Sequence, residues 1–237
     1  MIMKKKDVII ACDFPSWVIT KEFLELFRDK KPFVKIGMEL FYSEGPQAVR
    51  EIKDRGHRVF LDLKLHDIPN TVEKAMRRLS ALGIDMCNVH AAGTTEMMRA
   101  AMRGLTAEGG ARPLLIAVTQ LTSTDENKLH SELLIDKSMN ETVLHYAKNA
   151  ASAGLDGVVC SPLEAAGVKE LCGKGFLTVT PGIRFEENSS DDQKRVATPA
   201  RSRETGTDFI VMGRPIIEAA DPVRAYERAV RDFLGED

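Results

Sequence analysis

The chain has 237 residues, and its 33 lysines and arginines against 35 aspartates and glutamates give a formal net charge of −2. Basic and acidic side chains are interspersed along the chain, so charge gives no reason to expect binding of nucleic acid. With 43% hydrophobic and 29% charged residues, the composition supports one sizeable core and excludes a disordered chain. We therefore expect a globular protein.

Three features favour a cytoplasmic protein that does not bind membranes. No stretch approaches the roughly 18 consecutive apolar residues that a membrane helix needs. The lysines at 4–6 precede an apolar run that ends at Asp13, which is too short for the core of a signal peptide. The cysteines lie far apart without a C-x-x-C pair, which indicates reduced thiols rather than a disulfide or zinc framework. They are Cys12, Cys87, Cys160 and Cys172.

From the N-terminus onward, short β-branched apolar runs alternate about eight times with longer segments of helical period. Eight β-α units with no composition break predict a single (β/α)8 TIM barrel domain over residues 1–237, with eight helices between the strands. An open doubly wound sheet is the alternative, but it rarely needs eight units, and no G-x-G-x-x-G follows the first strand. The predicted strands are 7–14, 33–38, 58–65, 86–91, 114–121, 157–162, 177–183 and 209–216.

The third predicted strand carries charges on one face. In the segment VFLDLKLHDIPNT, three leucines alternate with Phe60, Asp62 and Lys64, so the two sets lie on opposite faces. In a parallel barrel the leucine face packs on the outer helices, and the charged face points into the barrel near its mouth. Unpaired charges there are costly, but an acid-base-acid series that continues to Asp67 in the next loop offsets the cost.

Two neighbouring strands bring further charges to the same end. Asp13 ends the first predicted strand, and Lys35 lies within the second. Because active sites of such barrels lie where the strands end, we expect these five charged side chains to converge there. Structural ion pairs rarely require so many charges, so the cluster indicates a catalytic site.

The opposite side of the predicted mouth has the features of a phosphate site. T-P-G-I-R at 180–184 and M-G-R-P at 212–215 follow strands seven and eight, where barrels commonly bind phosphate. Gly182 and Gly213 allow backbone N–H groups to approach a ligand, and Arg214 can donate two hydrogen bonds to phosphate oxygens. We expect the polar loop at about 185–197 to be mobile when empty and to grip the phosphate.

The sequence resembles the bacterial orotidine 5'-phosphate decarboxylases along nearly its whole length. The string F-L-D-L-K-L-H-D-I-P-N-T at 60–71 and the loop D-D-Q-K-R at 191–195 are the most specific parts, whereas D-x-K-x-x-D alone is shared with related phosphosugar barrels. The other matching motifs are A-C-D at 11–13, V-K-I-G at 34–37, V-H-A-A-G at 89–93, T-Q-L-T-S at 119–123, T-P-G-I-R at 180–184 and M-G-R-P-I at 212–216.

The resemblance implies conversion of orotidine 5'-phosphate to UMP and CO2 in de novo pyrimidine biosynthesis. It implies that Lys64 donates the proton to C6 and that Asp62 faces the substrate carboxylate. It also implies a homodimer, in which Asp67 and Thr71 reach into the neighbouring subunit's site. The catalytic set would be Lys64, Asp62, Asp67 and Lys35; the substrate-binding set would be Asp13, Lys35, Asp62, Asp67, Ile68, Thr71, Thr122, Pro181, Arg184, Gln193, Gly213 and Arg214.

No thiamine, pyridoxal or metal motif is visible, so we expect a reaction without a cofactor and no metal ligands among the site residues. One alternative is a magnesium-dependent decarboxylase or aldolase on a similar barrel, of the type that acts on 3-keto-L-gulonate 6-phosphate or makes hexulose phosphate. Such enzymes share D-x-K-x-x-D and take a metal-binding carboxylate from the second strand, where Glu39 follows V-K-I-G-M here. The other alternative is a nucleotide-binding barrel without catalytic activity.

Overall fold

In a computed structural model, which describes residues 6–106, 111–188 and 197–235, the chain forms a closed barrel of parallel strands. Each strand pairs with its neighbours in sequence, and the eighth pairs with the first. The predicted (β/α)8 barrel is therefore confirmed. The strands are β1 Asp7–Ala11, β2 Phe33–Ile36, β3 Arg58–Leu65, β4 Met86–His90, β5 Leu114–Val118, β6 Gly157–Val159, β7 Leu177–Thr180 and β8 Phe209–Met212.

The described residues contain ten α-helices rather than the eight expected. The additional two are short helices in the loops after β5 and β8, and the second of these begins at Arg214. Within the described ranges, no helix is long and apolar enough to cross a membrane. The helices are α1 Trp17–Glu25, α2 Met38–Asp54, α3 Pro69–Ser80, α4 Thr94–Thr106, α5 Glu126–Ser131, α6 Met139–Ser152, α7 Ala165–Cys172, α8 Pro199–Glu204, α9 Arg214–Ile217 and α10 Pro222–Leu234.

Most strands end earlier than the sequence predicts. The predicted strand 7–14 ends at Ala11, and the predicted strand 209–216 ends at Met212. The hydrogen bonds between neighbouring strands stop at the rim of the barrel, but the apolar pattern of the sequence continues into the loops. A prediction from that pattern therefore extends the strands too far. Consequently Asp13 and Arg214 lie in the loops above the sheet, where their side chains can meet a ligand.

Two apolar layers hold the strands in place. Side chains on the inner face of the sheet, including Phe33, Phe60 and Phe209, fill the interior of the barrel. The opposite faces of the same strands pack against the helices in a larger cluster that contains Leu61 and Leu63. The interior is therefore a packed core, and Asp62 and Lys64 of β3 lie above it, toward the mouth.

The lower rim of the barrel repeats one charged arrangement three times. An aspartate precedes each of β4, β6 and β8, accepts a hydrogen bond from a backbone N–H of the preceding strand, and pairs with a lysine or arginine. Each carboxylate thereby satisfies a strand N–H that the sheet leaves free. The groups are Asp85 with Val59 and Lys53, Asp156 with Leu115 and Arg112, and Asp208 with Thr178 and Lys169.

Helices α3 and α4, which precede and follow β4, approach each other closely at Gly104. A Cβ atom at this position would lie 2.2 Å from the carbonyl oxygen of Glu73 and 2.9 Å from the Cβ of Met76. No heavy atom can occupy that space unless a backbone moves. The absence of a side chain at Gly104 is therefore what lets α3 pack at this distance.

We expect Gly104→Ala to lower the free energy of unfolding by about 1–3 kcal/mol through overpacking, although alanine favours helix formation. Gly167→Ala in α7 is the matched control, because a Cβ there would meet only the Leu144 side chain at 3.4 Å. It should leave stability unchanged or raise it by up to about 1 kcal/mol. Urea unfolding of both variants measures the difference, and equal effects would contradict the close helix contact.

Candidate active site

Four charged side chains of alternating sign meet at the mouth of the barrel. The Lys35 ammonium Nζ lies 2.9 Å from Oδ1 of Asp13 and 3.4 Å from Oδ2 of Asp62. The Lys64 Nζ lies 2.7 Å from Oδ1 of Asp62. Asp62 is thus shared between two ammonium groups, and we call these four residues the charge array. The sequence predicted that five charged side chains converge here; these four do, whereas Asp67 does not join them.

β3 departs from regular strand geometry where it carries the array. Phe60 points into the barrel interior, and Asp62 follows on the same face. Lys64 has a φ of 51°, in the left-handed region that costs a residue other than glycine about 1–2 kcal/mol. Pairing with β4 is also irregular between Leu61 and Leu65. Backbone strain of this kind, on a residue that lines a cavity, commonly marks a functional site.

Sequence reasoning missed Asn88, which is 1% exposed in the middle of β4. Its amide Nδ2 donates to Oδ1 of Asp62 at 2.7 Å, and its Oδ1 accepts from the backbone N–H of Lys64 at 2.8 Å. The one available signal was a buried polar residue among the apolar residues Met86, Cys87 and Val89 of the strand, a pattern that a structural hydrogen bond would also produce.

The array shifts the pKa values of its buried members. Burial alone would raise the pKa of Asp62, but the nearby charges of Lys35 and Lys64 and the hydrogen bonds from Lys64 and Asn88 hold it below its usual value. Burial alone would lower the pKa of Lys35, yet Asp62 and Asp13 keep it above its usual value. Both groups are therefore charged at neutral pH.

A cavity of about 340 Å³, which we call the reaction pocket, opens beside the array. Lys35, Asp62 and Lys64 form its charged side, and Asn88 also lines it. The opposite wall is largely apolar and comes from the ends of β5 to β8, with polar side chains from the loop after β5. These residues are Val118, Gln120, Leu121, Thr122, Ser123, Val159, Cys160, Val179, Pro181 and Val211, together with Phe60 below.

A second cavity of about 410 Å³, the phosphate pocket, adjoins the first and shares Lys35 and Pro181 with it. Gly182 has a φ of 78°, which a residue with a side chain rarely adopts. The remaining predicted phosphate ligands in the described chain line this pocket, and Asp13 faces it as well. They are Arg184, Gly213 and Arg214.

The long loop after β7 begins and ends beside the phosphate pocket. Ile183 and Ala197 form an isolated parallel bridge, and the backbone N–H of Arg184 donates to the carbonyl of Ala197 at 3.1 Å. Gln193 lies outside the described residues, as does most of the predicted gripping loop. The role of that loop stays a prediction.

Three predicted site residues do not join the charge array within one chain. Asp67, Ile68 and Thr71 are exposed, and Oδ1 of Asp67 accepts a hydrogen bond from the Ile68 backbone N–H at 2.6 Å. Asp67 and Thr71 line a separate groove of about 280 Å³, which also contains Lys64. The fold therefore presents these residues at the rim of the site and toward the outside.

The described residues offer no group of three or more His, Cys, Asp or Glu side chains placed to hold a metal ion. The two carboxylates of the array are separated by the Lys35 ammonium. Glu39, the carboxylate considered for a metal from the second strand, is exposed in the first turn of α2.

Comparison with known proteins agrees with the geometry. Residues 6–229 match the model of one protein family, described as orotidine 5'-phosphate decarboxylase / HUMPS. The chain belongs to this family. The match covers all eight strands of the barrel and therefore every residue of the charge array.

Two similar members of the family share more than half of their residues with the chain, and a solved structure shares the fold. Orotidine 5'-phosphate decarboxylase from Geobacillus thermodenitrificans is 56% identical over 230 residues, with 96% of each chain covered. The protein of the same name from Geobacillus sp. WCH70 is 53% identical over 232 residues, with 97% of each covered. The crystal structure of the Lactobacillus acidophilus enzyme of that name superposes with a TM-score of 0.87 at 41% identity, covering 96% of this chain and 99% of that one.

The pairing of Lys35 with Asp62 should make the stability of the protein depend on pH. Lys35→Met leaves the buried Asp62 carboxylate with one fewer cation, so its pKa should rise. Because the pKa of Asp62 is lowered in the folded state, its ionised form adds stability in full above the unfolded carboxyl pKa of about 3.9. This stability is lost as the pH falls through the lower folded-state pKa, so the variant should lose the most stability at neutral pH. We expect a loss of about 3 kcal/mol near pH 7 that shrinks as the pH falls below about 4.

Urea unfolding at several pH values measures this dependence. Arg201→Met is the control, because the Arg201 and Glu204 side chains that pair in α8 are 63% and 58% exposed. That change should stay within about 0.5 kcal/mol at any pH. A loss in Lys35→Met that does not vary with pH would contradict the coupling to Asp62.

Proposed function

We propose that the protein decarboxylates orotidine 5'-phosphate to UMP and CO2, without a cofactor, in the synthesis of pyrimidine nucleotides. The observation that carries the proposal is the alternating charge array, held at hydrogen-bond distances on the wall of a pocket whose other side is apolar. A pyrimidine ring fits such a pocket, with its reacting edge toward the charges.

The chemistry explains why fixed charges are needed. When the bond from C6 to the carboxylate breaks, its electron pair remains in an sp² orbital perpendicular to the ring π system and cannot be delocalised into the ring. The protein must therefore stabilise the carbanion electrostatically, with groups oriented before the reaction begins. An ammonium group near C6 provides the largest such stabilisation.

Lys64 is suited to this role and to the proton transfer that follows. Its Nζ is held by Asp62 and lines the reaction pocket. The N–H bond breaks as the proton moves to C6, CO2 leaves, and the neutral amine regains a proton from solvent. An arginine could supply the charge but not the proton, because a guanidinium group does not deprotonate in proteins.

Asp62 contributes a second effect. Two carboxylates about 4 Å apart repel each other by roughly 4 kcal/mol at an effective dielectric constant of 20. If the substrate carboxylate lies against Asp62, this repulsion disappears as neutral CO2 departs. We treat it as an addition to carbanion stabilisation, which acts on the transition state itself.

The phosphate group would bind at the other end of the site. Arg214 and the backbone at Gly213 line the phosphate pocket, and Gln193 and the loop at about 185–197 would complete it. Outside this pocket lies a cavity of about 520 Å³, lined by arginines of α10 together with Glu187 and Glu218. Binding energy from this remote group can hold the ring against the array and close the site.

The test is the loss of orotidine 5'-phosphate absorbance with the purified chain, before and after dialysis against EDTA. We expect turnover that EDTA does not change, and we expect Lys64→Ala and Lys64→Arg both to lower kcat by at least about 10⁴-fold. A metal requirement with 3-keto-L-gulonate 6-phosphate as the better substrate would overturn the proposal, as would binding without turnover. Activity retained in Lys64→Arg would restrict Lys64 to an electrostatic role.

The active unit is proposed to be a homodimer, with Asp67 and Thr71 completing the neighbouring subunit's site. The support is their exposure on the rim next to Lys64, beside apolar side chains that a monomer would leave in water. Tyr42 is 70% exposed and Ile68 66% exposed on this side of the barrel.

A mixing experiment tests the shared site. Lys64→Ala and Asp67→Ala homodimers should each be nearly inactive. In a mixed dimer, one of the two sites receives wild-type residues from both chains, so random mixing should restore about a quarter of wild-type activity. A mixture no more active than its components would show that Asp67 acts within its own chain.

The state of the cysteines supports a reducing compartment, and we propose the cytoplasm. All four are free thiols, and three of them are buried. Burial raises the pKa of Cys12 and of Cys87 to about 12, so these thiols are protonated and unreactive.

A further inference from the structure

We propose that Asn88 is a positioning residue that holds both Asp62 and the irregular backbone of Lys64, and so aims the Lys64 ammonium at the reacting carbon. The inference rests on the proposed function for its chemical consequence. Its structural part rests on two hydrogen bonds and on the pairing of two strands.

The first observation is the register between β3 and β4. Leu61 pairs with Cys87 and Leu65 pairs with Val89, so three residues of β3 lie opposite Asn88 alone. An interruption of this kind leaves backbone groups without ladder partners. The side-chain Oδ1 of Asn88 accepts the hydrogen bond of the Lys64 N–H at 2.8 Å and thus replaces the missing ladder bond.

The second observation is the conformation that this bond supports. Lys64 has a φ of 51°, which lysine adopts only where the surroundings hold it. A bond to its own N–H acts directly on that backbone segment. If the bond is lost, Lys64 can relax to a negative φ, and its side chain then leaves in another direction.

The third observation is the contact with the array. Nδ2 of Asn88 donates to the same Asp62 oxygen that receives the Lys64 ammonium, at 2.7 Å in each case. The amide orientation follows from its partners, because a backbone N–H can only donate and an ionised carboxylate can only accept. Asn88 therefore joins the backbone of Lys64 to the carboxylate that pairs with its ammonium.

The residue type fits this task. Asparagine offers an NH2 group that donates and a carbonyl oxygen that accepts, on a short planar side chain without charge. Aspartate has the same shape but would place a second carboxylate against Asp62, and alanine would lose both bonds. A neutral amide can fix the array and leave its charges unchanged for the reaction.

Kinetics provide the first test. We expect Asn88→Ala to lower kcat for orotidine 5'-phosphate by about 10²-fold while the Kd for UMP, which lacks the carboxylate, stays within about twofold. Asn88→Asp should lower kcat further. Thr119→Val is the matched control. Thr119 is a buried residue that does not line the reaction pocket, and the change removes its side-chain hydrogen bond to the Val159 carbonyl in the neighbouring strand. Its kcat should stay within about threefold.

A crystal structure of Asn88→Ala provides a test that does not depend on turnover. We expect Lys64 to adopt a negative φ and its ammonium to move away from Asp62. An unchanged φ with the ammonium still 2.7 Å from Asp62 would overturn the inference, as would an unchanged kcat. If the wild-type chain does not act on orotidine 5'-phosphate, the proposed function fails, and the crystal structure still decides whether Asn88 holds Lys64.

Discussion

The Asp62 carboxylate is the constraint on which the site depends. Its oxygens face Lys64 at 2.7 Å and Lys35 at 3.4 Å, and Asn88 adds a third donor. A carboxylate buried to this depth is stable only because these groups surround it. Both lysines are in turn oriented by the same carboxylate. One side chain therefore fixes where two ammonium groups lie before any substrate arrives, which is the condition for electrostatic catalysis without reorganisation.

The two ends of the barrel use charge in different ways. At the lower rim, each aspartate that precedes β4, β6 or β8 accepts a hydrogen bond from a strand N–H and pairs with a lysine or arginine. These groups hold neighbouring strands in register. At the mouth, the charges line a cavity and can act on a ligand. The packed interior between the two ends keeps the mouth rigid, so its strained geometry does not relax.

Sequence periodicity and topology were enough to predict the barrel and the convergence of Asp13, Lys35, Asp62 and Lys64. The first follows from counting β-α units, and the second follows because parallel strands end at one rim. The strand ends and the two additional helices were not predictable, since ladder pairing stops where neighbouring strands diverge and the local pattern does not record this. Asn88 was missed because its importance comes from a neighbouring strand 24 residues away in sequence, not from its own context.

The irregular backbone at Lys64 lowers the stability of the fold at one position, and that position carries the proposed proton donor. A regular strand would give Lys64 a backbone hydrogen bond to the next strand and a relaxed conformation. The pairs β2–β3 and β4–β5 keep a regular register, and they supply the stability that offsets the strained backbone at Lys64. In the proposed reaction, proton transfer to C6 makes Lys64 neutral, so the negative charge that was on the substrate carboxylate passes to the array. Asp62 then keeps only Lys35 as a cationic partner, which favours return of a proton to Lys64. The Lys64 side chain is 27% exposed, so water can deliver that proton once product leaves.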